Sequence, residues 1–411
     1  MPTLTGMKLE GFYDRNSAMQ HGTMQAVISW LTEAIGTMTL PDEAQPIAVV
    51  DFGCSEGRNS IIAMGYVVDA LRNRRREQPV YVIHCDLPSN NFNQLFRSLY
   101  DPAQTNYAQS YGRRHANIVP LACGGSFFDS MLAPRSISIA MSFVAVQWMD
   151  RIPDVPVPEF IGYMKGSSAA REAYARQADR EMTRFLEARA LETVPGGKLL
   201  VIAPGSDGAW RCGDGSYDVL NDAALDLVDA GRIPRRRLEN FVIPHYFRTI
   251  EEMTAPLTRP GSPLEGVFRV DRAETLELSM PFEDGLRRTG DVEAYADGYT
   301  NFVRAFSEPV LAGGLVEPGQ DRAVIDELYA RVRERLAADP QIRPATSRWR
   351  CCSRVNRERQ CRQPFVSPRR RRSCRGARCS QRGRGRGGCE RRARPGPWPG
   401  TARRSRRPGT A

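Results

Sequence analysis

The chain has 411 residues and a formal net charge of +11, but the charge is divided unevenly. Of its 58 basic and 47 acidic residues, 22 and two lie in residues 347–411, so this segment carries +20 and residues 1–346 carry −9. Residues 1–346, the body of the chain, are therefore acidic, and their charge excludes a basic nucleic-acid-binding surface. The body has four scattered cysteines, which exclude a disulfide scaffold and predict a cytoplasmic protein. No apolar run approaches 18 residues, so we expect a soluble protein without a membrane span.

Short β-branched runs alternate with helical patterns along the body, and this alternation predicts an α/β fold with a parallel sheet covered by helices. The predicted strands are Ile47–Phe52, Val80–Cys85, Ile118–Ala122, Ser136–Met141 and Lys198–Ala203. The predicted helices cover residues 17–35, 59–74, 169–193, 221–231, 291–312 and 321–338. We interpret residues 151–185 and 206–265 as too irregular for sheet crossovers; with 285–340, they are predicted to form a helical cap over the strand ends.

Residues 347–411 differ in composition from the rest, so the first domain is taken as residues 1–346. The segment is rich in Arg, Gly, Pro and Cys and has almost no apolar periodicity, which predicts a disordered low-complexity tail. Two alternatives stay open: a nucleic-acid-binding arm, or the product of a shifted reading frame of a GC-rich gene. Its cysteines lack paired C-x-x-C spacing, so no zinc module is expected.

The stretch VVDFGCSEGRNS, residues 49–60, combines the end of a strand, a glycine turn and the start of a helix. Gly53 and Gly57 allow a sharp turn and close approach of a ligand, and Asp51 lies at the carboxyl end of the strand. The spacing matches neither G-x-G-x-x-G nor a P-loop. A carboxylate without a phosphate cradle suits a ligand with a cationic amine, such as S-adenosylmethionine; an ordinary strand–helix turn is the alternative.

The next two strands also end in polar residues. VIHCDLPSNNFN places Asp86 at the carboxyl edge of the second strand, where a carboxylate is suited to accept ribose hydroxyls. CGGSFFDS places Ser126 and Phe127 after the third strand, as a hydrogen-bonding group and a stacking surface for adenine. Polar edges on successive strands favour a nucleoside-containing cofactor more strongly than any single motif does.

In order and spacing, these motifs resemble the SABATH methyltransferases, which methylate salicylate, benzoate, jasmonate, indole acetate and caffeine precursors. FYDRNSAMQ resembles the family's SYAxNSxxQ, DFGCSEGRNS resembles DLGCSSGPNT, and HCDLPSNNFNQLF resembles NDLPxNDFNxLF. The resemblance extends over about 330 residues through four later segments: the one beginning GGSFFDSMLAPRS and ending QWMDRIP, then VPGGKLLV, FVIPHYFRTIEEM and FVRAFSEPVL. The chain is identified as a bacterial-type member, and the resemblance implies a Rossmann-like methyltransferase sheet with a helical cap.

The resemblance also implies the site residues. S-adenosylmethionine would be bound by residues of the motifs just quoted: Tyr13, Ser17, Asp51, Gly53, Asn59, Asp86, Leu87, Ser126 and Phe127. Gln20 and Trp148 would hold the carboxylate of the acceptor. Pocket candidates are Tyr217, Tyr246, Val303 and Phe306, although core packing explains the last two equally well. Glu56 and Arg58 depart from the family motif at the helix entry and are expected to leave its aspartate–glycine scaffold intact.

The implied chemistry is transfer of a methyl group to a carboxylate, in line, giving the methyl ester of a fatty acid or a small aromatic acid. A carboxylate with a pKa of ~4–5 is already ionised near neutral pH and needs no general base. Neutral donors such as Gln20 and Trp148 orient it without neutralising it, and no metal is expected. Methylation of a nitrogen or hydroxyl, and nucleic-acid binding through the tail, remain alternatives. A homodimer is left open.

Other features are assigned no chemistry. Cys54 and Cys85 are interpreted as small buried residues, and none of the four histidines has metal-ligand spacing or is assigned a catalytic role. The family chain ends with an apolar antiparallel strand. No such strand is visible after QIRPATSRWR, so we expect the sheet to lack it.

Overall fold

The sheet is the frame on which the rest of the chain is built. A computed structural model describes residues 6–100, 111, 115–158, 160–207, 211–317 and 322–340, and the backbone of 349–357. Its strands are β1 (Ile47–Phe52), β2 (Val80–Asp86), β3 (Ile118–Gly124), β4 (Ile137–Phe143), β5 (Thr193–Pro204), β6 (Phe268–Arg269), β7 (Thr275–Leu278) and β8 (Trp349–Arg357). They are ordered β3-β2-β1-β4-β5-β8-β6, with β7 also paired to β8. The first five run parallel, and β8 is antiparallel to β5.

Helices cover both faces of this sheet, which explains its apolar sequences. All six residues of β1 are buried; Ile47 and Val49 belong to the core on one face, and Ala48, Val50 and Phe52 to the core on the other. Side chains of a strand alternate between faces, so a strand covered on both sides reads as a continuous apolar run. The parallel arrangement also brings the carboxyl ends of β1 to β5 to one edge.

The helices divide between the sheet and a cap. They are α1 (Phe12–Asn16), α2 (Ala18–Thr37), α3 (Arg58–Arg72), α4 (Phe92–Tyr100), α5 (Ser168–Glu192), α6 (Asp214–Asp229), α7 (Arg235–Glu239), α8 (Ile250–Thr258), α9 (Pro281–Thr289), α10 (Val292–Leu315) and α11 (Ala323–Ala338). Helices α2 and α3 pack together on one sheet face, whereas in the cap α11 contacts both α6 and α10. None of the helices in the described ranges is long and apolar enough to span a membrane.

The five predicted parallel strands are confirmed, but one predicted cap segment differs. Helix α5 links β4 to its parallel neighbour β5, so it is the crossover of a βαβ unit rather than part of an irregular cap. Met182, Phe185 and Leu186 in its second half share a core cluster with the strands. The expectation that residues 151–185 contain no crossover is therefore wrong. Residues 267–278 contain two short strands, β6 and β7.

The expectation of a missing final strand is also wrong. Strand β8 lies inside the segment predicted as a tail and pairs antiparallel with β5, with Lys198 opposite Asn356 and Ala203 opposite Cys352. Inter-strand bonds are made by the main chain, so a strand can form from a sequence without apolar alternation. The boundary predicted after residue 346 thus falls before an element of the sheet. Residues 358–411, on which the rest of the tail prediction falls, lie outside the described residues.

Candidate active site

The turn after β1 requires glycine at two positions. Gly53 and Gly57 have φ angles of 97° and 109°, which L side chains rarely adopt. A Cβ on Gly53 would lie 2.4 Å from the Cβ of Ala145, and one on Gly57 would lie 2.3 Å from a methyl carbon of Leu95. The turn therefore packs against two other segments, and both glycines serve conformation and close approach together.

Glu56 and Arg58 tie the N-terminal segment to this turn. The Gly11 backbone N–H donates to Glu56 Oε2 at 2.9 Å, and the Arg58 guanidinium donates to the Asp14 carbonyl oxygen at 2.7 Å. The Asn59 amide also donates to Ser17 Oγ at 3.1 Å. These bonds hold α1, and with it Tyr13, against the strand ends. The two departures from the family motif thus have a positioning role that the sequence did not indicate.

Three carboxyl groups concentrate negative charge around the turn. Burial, with a smaller contribution from Asp86, raises the pKa of Asp51 to about 7, and its Oδ1 has no hydrogen-bond partner among the described residues. Burial, with Glu56 nearby, also raises the pKa of Asp14 to about 7. Asp86 accepts the backbone N–H groups of Ser55 and Leu87, both at 2.7 Å. Arg58 and Arg15 lie near Asp14, but among the described residues no cationic side chain affects the pKa of Asp51 or Asp86. This acidic edge of the sheet is therefore suited to a cation.

A cavity of about 680 Å³ opens at the ends of β1, β2 and β3. Its lining includes these predicted cofactor residues: Tyr13, Gly53, Asp86, Leu87, Ser126 and Phe127. Ser17, Asp51 and Asn59 do not line it. Asp51 is buried inside β1, while Ser17 and Asn59 bond each other.

A second cavity, of about 500 Å³, lies beside the first. The two share four lining residues: Met7, Tyr13, Val144 and Trp148. Gln20 lines the second cavity as well, so the two predicted carboxylate donors, Gln20 and Trp148, face one space. Gln20 hydrogen-bonds Tyr13, and its Oε1 has no partner among the described residues.

The backbone is strained where the cavities meet. Val144, directly after β4, has a φ of 53°, which is an outlier for a β-branched residue. Its N–H donates to the Ile202 carbonyl at 2.8 Å, and its own carbonyl accepts the Gln147 amide at 2.9 Å. Such strain persists only where the surroundings fix it, and it occurs often at functional sites. Here it directs the segment that carries Trp148.

Of the four pocket candidates, Tyr217 and Phe306 line the second cavity, whereas Tyr246 and Val303 do not. The Tyr246 hydroxyl instead bonds Glu252 at 2.7 Å, in a groove of its own, and Val303 is buried in the cap core. Cavity residues that the sequence reasoning missed are Met7, Gln147, His245, Phe247 and Phe302. Four of them lie in motifs quoted above: Gln147 in QWMDRIP, His245 and Phe247 in FVIPHYF, and Phe302 in FVRAFSEPVL. A motif does not show which of its side chains face a cavity.

Two expectations concern reactive groups. Cys54 is buried, and burial raises the pKa of its thiol well above the usual value, so it remains protonated and unreactive. Over the part of the chain that the structure describes, no three His, Cys, Asp or Glu side chains form a metal-binding group.

The parallel sheet, the glycine turn after β1 and the carboxylates at the ends of β1 and β2 define a Rossmann-like methyltransferase. A family model described as "SAM dependent carboxyl methyltransferase" matches residues 5–352, and the chain belongs to this family, the SABATH methyltransferases. It is therefore an enzyme that uses S-adenosylmethionine.

Relatives extend over most of the chain. It is 28% identical to gibberellic acid methyltransferase 2 of Arabidopsis thaliana, over 81% of this chain and 90% of the relative. It is 25% identical to probable caffeine synthase 2 of Camellia sinensis, over 80% and 90%. The solved structure of a loganic acid methyltransferase with SAH has the same fold, with a TM-score of 0.70 and 22% identity over 86% of this chain and 99% of that one.

The first cavity fits S-adenosylmethionine by its chemistry. The ligand carries a cationic sulfonium and amine, and Asp86 lines the cavity. Oδ1 of buried Asp51, at the end of β1, has no hydrogen-bond partner among the described residues. The two backbone bonds of Asp86 leave lone pairs on its oxygens for hydroxyl donors. The apolar surface of Phe127 and the hydroxyl of Ser126 complete a lining that suits a nucleoside.

Proposed function

We propose that this enzyme methylates the carboxylate of a small organic acid and releases a methyl ester. The observation that carries the proposal is the neutral lining of the second cavity, in which Gln20 and Trp148 supply N–H donors beside the cofactor cavity. No Arg, Lys, Asp or Glu is among its described lining residues. A neutral site that orients an anion without pairing it leaves the oxygen nucleophilic.

The residues that line the second cavity orient the acceptor carboxylate and exclude water. When bound, S-adenosylmethionine supplies a methyl group on a sulfonium. The carboxylate is ionised at neutral pH, so Gln20 and Trp148 only have to hold one oxygen in line, and nothing has to remove a proton. The aromatic walls, which include buried Tyr217 and Phe302 and half-buried Phe306, keep the cavity dry.

The same cavity gives weak support to the alternative of N-methylation. A ring N–H has to lose its proton, and the titratable side chains here are poor bases. Burial lowers the pKa of His245 to about 3 and raises the pKa of Tyr13 and Tyr217 above the usual range. The similarity to enzymes named caffeine synthases keeps this function as the second candidate.

The lining of the cavity favours a mostly apolar acid. Its walls are largely aromatic, which suits the apolar part of a small aromatic acid or of a fatty acid. The relatives named for gibberellic acid and the neighbour named for loganic acid support an organic acid as the class of acceptor.

The test uses the purified full chain with methyl-labelled S-adenosylmethionine. Benzoic, salicylic, octanoic, gibberellic and loganic acids are offered separately, with 7-methylxanthine in parallel, and methyl esters are scored by mass spectrometry. Ester from at least one acid is expected. Cofactor binding without ester from any acid contradicts the proposal, and a methylated xanthine in its place establishes the alternative.

We further propose the cytoplasm as the compartment, supported by the four described cysteines, Cys54, Cys85, Cys123 and Cys212, which are all free. Whether the enzyme is a homodimer is decided by light scattering. Whether the basic segment binds nucleic acid is decided by comparing polynucleotide binding of the full chain and of a chain that ends at residue 361. Binding that disappears with the segment while methyl transfer persists would assign the segment a separate role.

A further inference from the structure

His245 is fixed against Trp148 at the wall of the acceptor cavity. The Met149 N–H donates to the Pro244 carbonyl at 2.7 Å, and the Tyr246 N–H donates to the Gln147 carbonyl at 2.9 Å. This short antiparallel pairing sets the two rings edge to face, with centroids 3.8 Å apart and an interplanar angle of 70°. A group that binds the Trp148 indole from the cavity therefore lies beside the imidazole.

The two ring nitrogens of His245 have different surroundings. Nδ1 is hydrogen-bonded to the Tyr217 hydroxyl. Nε2 is buried and has no hydrogen-bond partner among the described residues, although the side chain lines the cavity. The residue is 4% exposed, so water outside the cavity does not satisfy that nitrogen. A buried polar atom without a partner is costly unless a ligand completes its bonding.

The charge and tautomer of the ring follow from its neighbours. Burial lowers the pKa of His245 to about 3, so the ring is neutral at physiological pH and carries one N–H. Burial raises the pKa of Tyr217 well above its usual value, so the phenol keeps its proton. Among the described residues that hydroxyl has no acceptor other than Nδ1, so we assign it as the donor to Nδ1, and the imidazole proton then lies on Nε2.

We propose that the Nε2–H of His245 is a third neutral donor to the acceptor carboxylate, and that Tyr217 is the positioning residue that holds the proton on Nε2. The inference rests on the proposed function and extends it. An N–H donor at this point favours a methyl acceptor that presents an oxygen lone pair. It disfavours a ring N–H, because two hydrogen-bond donors would then face each other. Together with Gln20 and Trp148 it gives the carboxylate three N–H partners and no positive charge.

A purely structural role for His245 predicts something different. The ring also packs near Phe247 and Phe306, so an apolar residue of similar size would preserve the wall. The variants His245→Leu and His245→Gln separate the two roles, because only glutamine keeps a neutral N–H at the end of its side chain. Tyr217→Phe retains the ring and removes the hydroxyl that selects the tautomer.

The kinetic test uses benzoate and octanoate as acceptors and the full chain throughout. We expect His245→Leu to lower kcat/KM by about 10- to 100-fold, as for loss of a hydrogen bond to a charged group. His245→Gln should recover most of the lost kcat/KM, and Tyr217→Phe should lower kcat/KM about fivefold. Affinity for S-adenosylhomocysteine, measured by calorimetry, should stay within twofold. The matched control His115→Gln, at a histidine that pairs with Asp69, should equal the wild type. Wild-type kinetics in His245→Leu would overturn the inference.

A second measurement observes the tautomer directly and does not depend on turnover. The chain has four histidines, so ¹⁵N-labelled imidazole signals can be assigned by omission in His245→Gln. We expect a neutral ring protonated at Nε2 from pH 6 to 8, with an Nε2–H shift on adding benzoate to the S-adenosylhomocysteine complex. Protonation at Nδ1, or no shift from a bound acid, would overturn the inference. A wild type that binds cofactor but esterifies no acid would instead refute the proposed function.

Discussion

The cofactor cavity and the acceptor cavity share a wall but are built by different means. Most residues that line the first lie at the ends of β1, β2 and β3 or in the turns that follow, and the N-terminal segment and the segment after β4 supply the rest. The second takes side chains from α2, the segment after β4, α6, the 243–247 segment and α10. Local sequence thus specifies much of the first cavity, whereas the second exists only when distant segments pack.

The two cavities also differ in charge. Asp14, Asp51 and Asp86 surround the strand ends, and burial raises the pKa of each. The acceptor side has neutral donors and aromatic rings. A cationic ligand in the first cavity and an anion held by neutral groups in the second would match this difference in charge. Each prediction below changes one side, or the sheet that they share.

The largest effect is expected from removing β8, because both cavities depend on the sheet. A chain ending at residue 346 loses the strand between β5 and the β6 and β7 strands. We expect it to be insoluble or to melt at least ~10 °C lower than the full chain, as for loss of several kcal/mol. The control ends at residue 361, the end of the compact unit that contains β8, and should melt and turn over as the full chain does. Equal melting of the 346- and 361-residue chains would contradict the role of β8.

The next largest effect separates the two cavities. Trp148 lines both, so Trp148→Phe is chosen to keep a ring in the shared wall while the N–H is lost. We expect kcat/KM for the acid to fall about 10- to 100-fold, the range for a lost hydrogen bond to a charged group, with affinity for S-adenosylhomocysteine within threefold. Trp30→Phe, at a tryptophan that stacks on Arg272, is the matched control. A parallel loss of cofactor affinity would show that Trp148 serves both sides.

A smaller effect, confined to the cofactor side, is a pH dependence of stability. The pKa of Asp51 is about 7 in the folded chain and 3.8 in an ordinary environment. Between these values the folded state binds the proton and the unfolded state does not, so the free energy of unfolding falls as pH rises from about 4 to about 7 and then levels. The full window corresponds to about 4 kcal/mol at most.

The check is the melting temperature of the cofactor-free protein at pH 5.5 and pH 8. Between pH 5.5 and pH 8, the melting temperature of the wild type should fall by several degrees more than that of Asp51→Asn. Asp14 has a similarly raised pKa, so Asp14→Asn should remove a comparable share and the double variant most of the slope. The same slope in wild type and Asp51→Asn would show that Asp51 does not carry the effect.

The smallest effect concerns acceptor size. Phe306→Ala enlarges the second cavity, and we expect the ratio of kcat/KM for octanoate to that for benzoate to rise about threefold, on the order of 0.6 kcal/mol of preference. Val303→Ala, one turn away in α10 but buried in the cap core, should lower stability and leave this ratio unchanged. A larger shift from Val303→Ala than from Phe306→Ala would reverse the assignment of core and cavity residues.

The errors of sequence interpretation have physical reasons. Strand β8 was missed because main-chain pairing does not require an apolar pattern, and α5 was placed in the cap because its sequence does not show which strands it connects. Tyr246 and Val303 were grouped with Tyr217 and Phe306 although their side chains point elsewhere, into a separate groove and into the core. His245 was set aside because a histidine alone has no recognisable spacing.

The sequence by itself determined the five parallel strands, the glycine turn after β1, and the positions of Asp51, Asp86, Ser126 and Phe127 at strand ends. These features depend on neighbours within a few residues, and parallel strands bring their carboxyl ends together without further information. Only the tertiary structure decided which side chains line the second cavity, that Glu56 and Arg58 bond the N-terminal segment, and that His245 lies between Tyr217 and Trp148. Contacts between distant segments are set by packing of the whole chain, and packing leaves no local pattern to read.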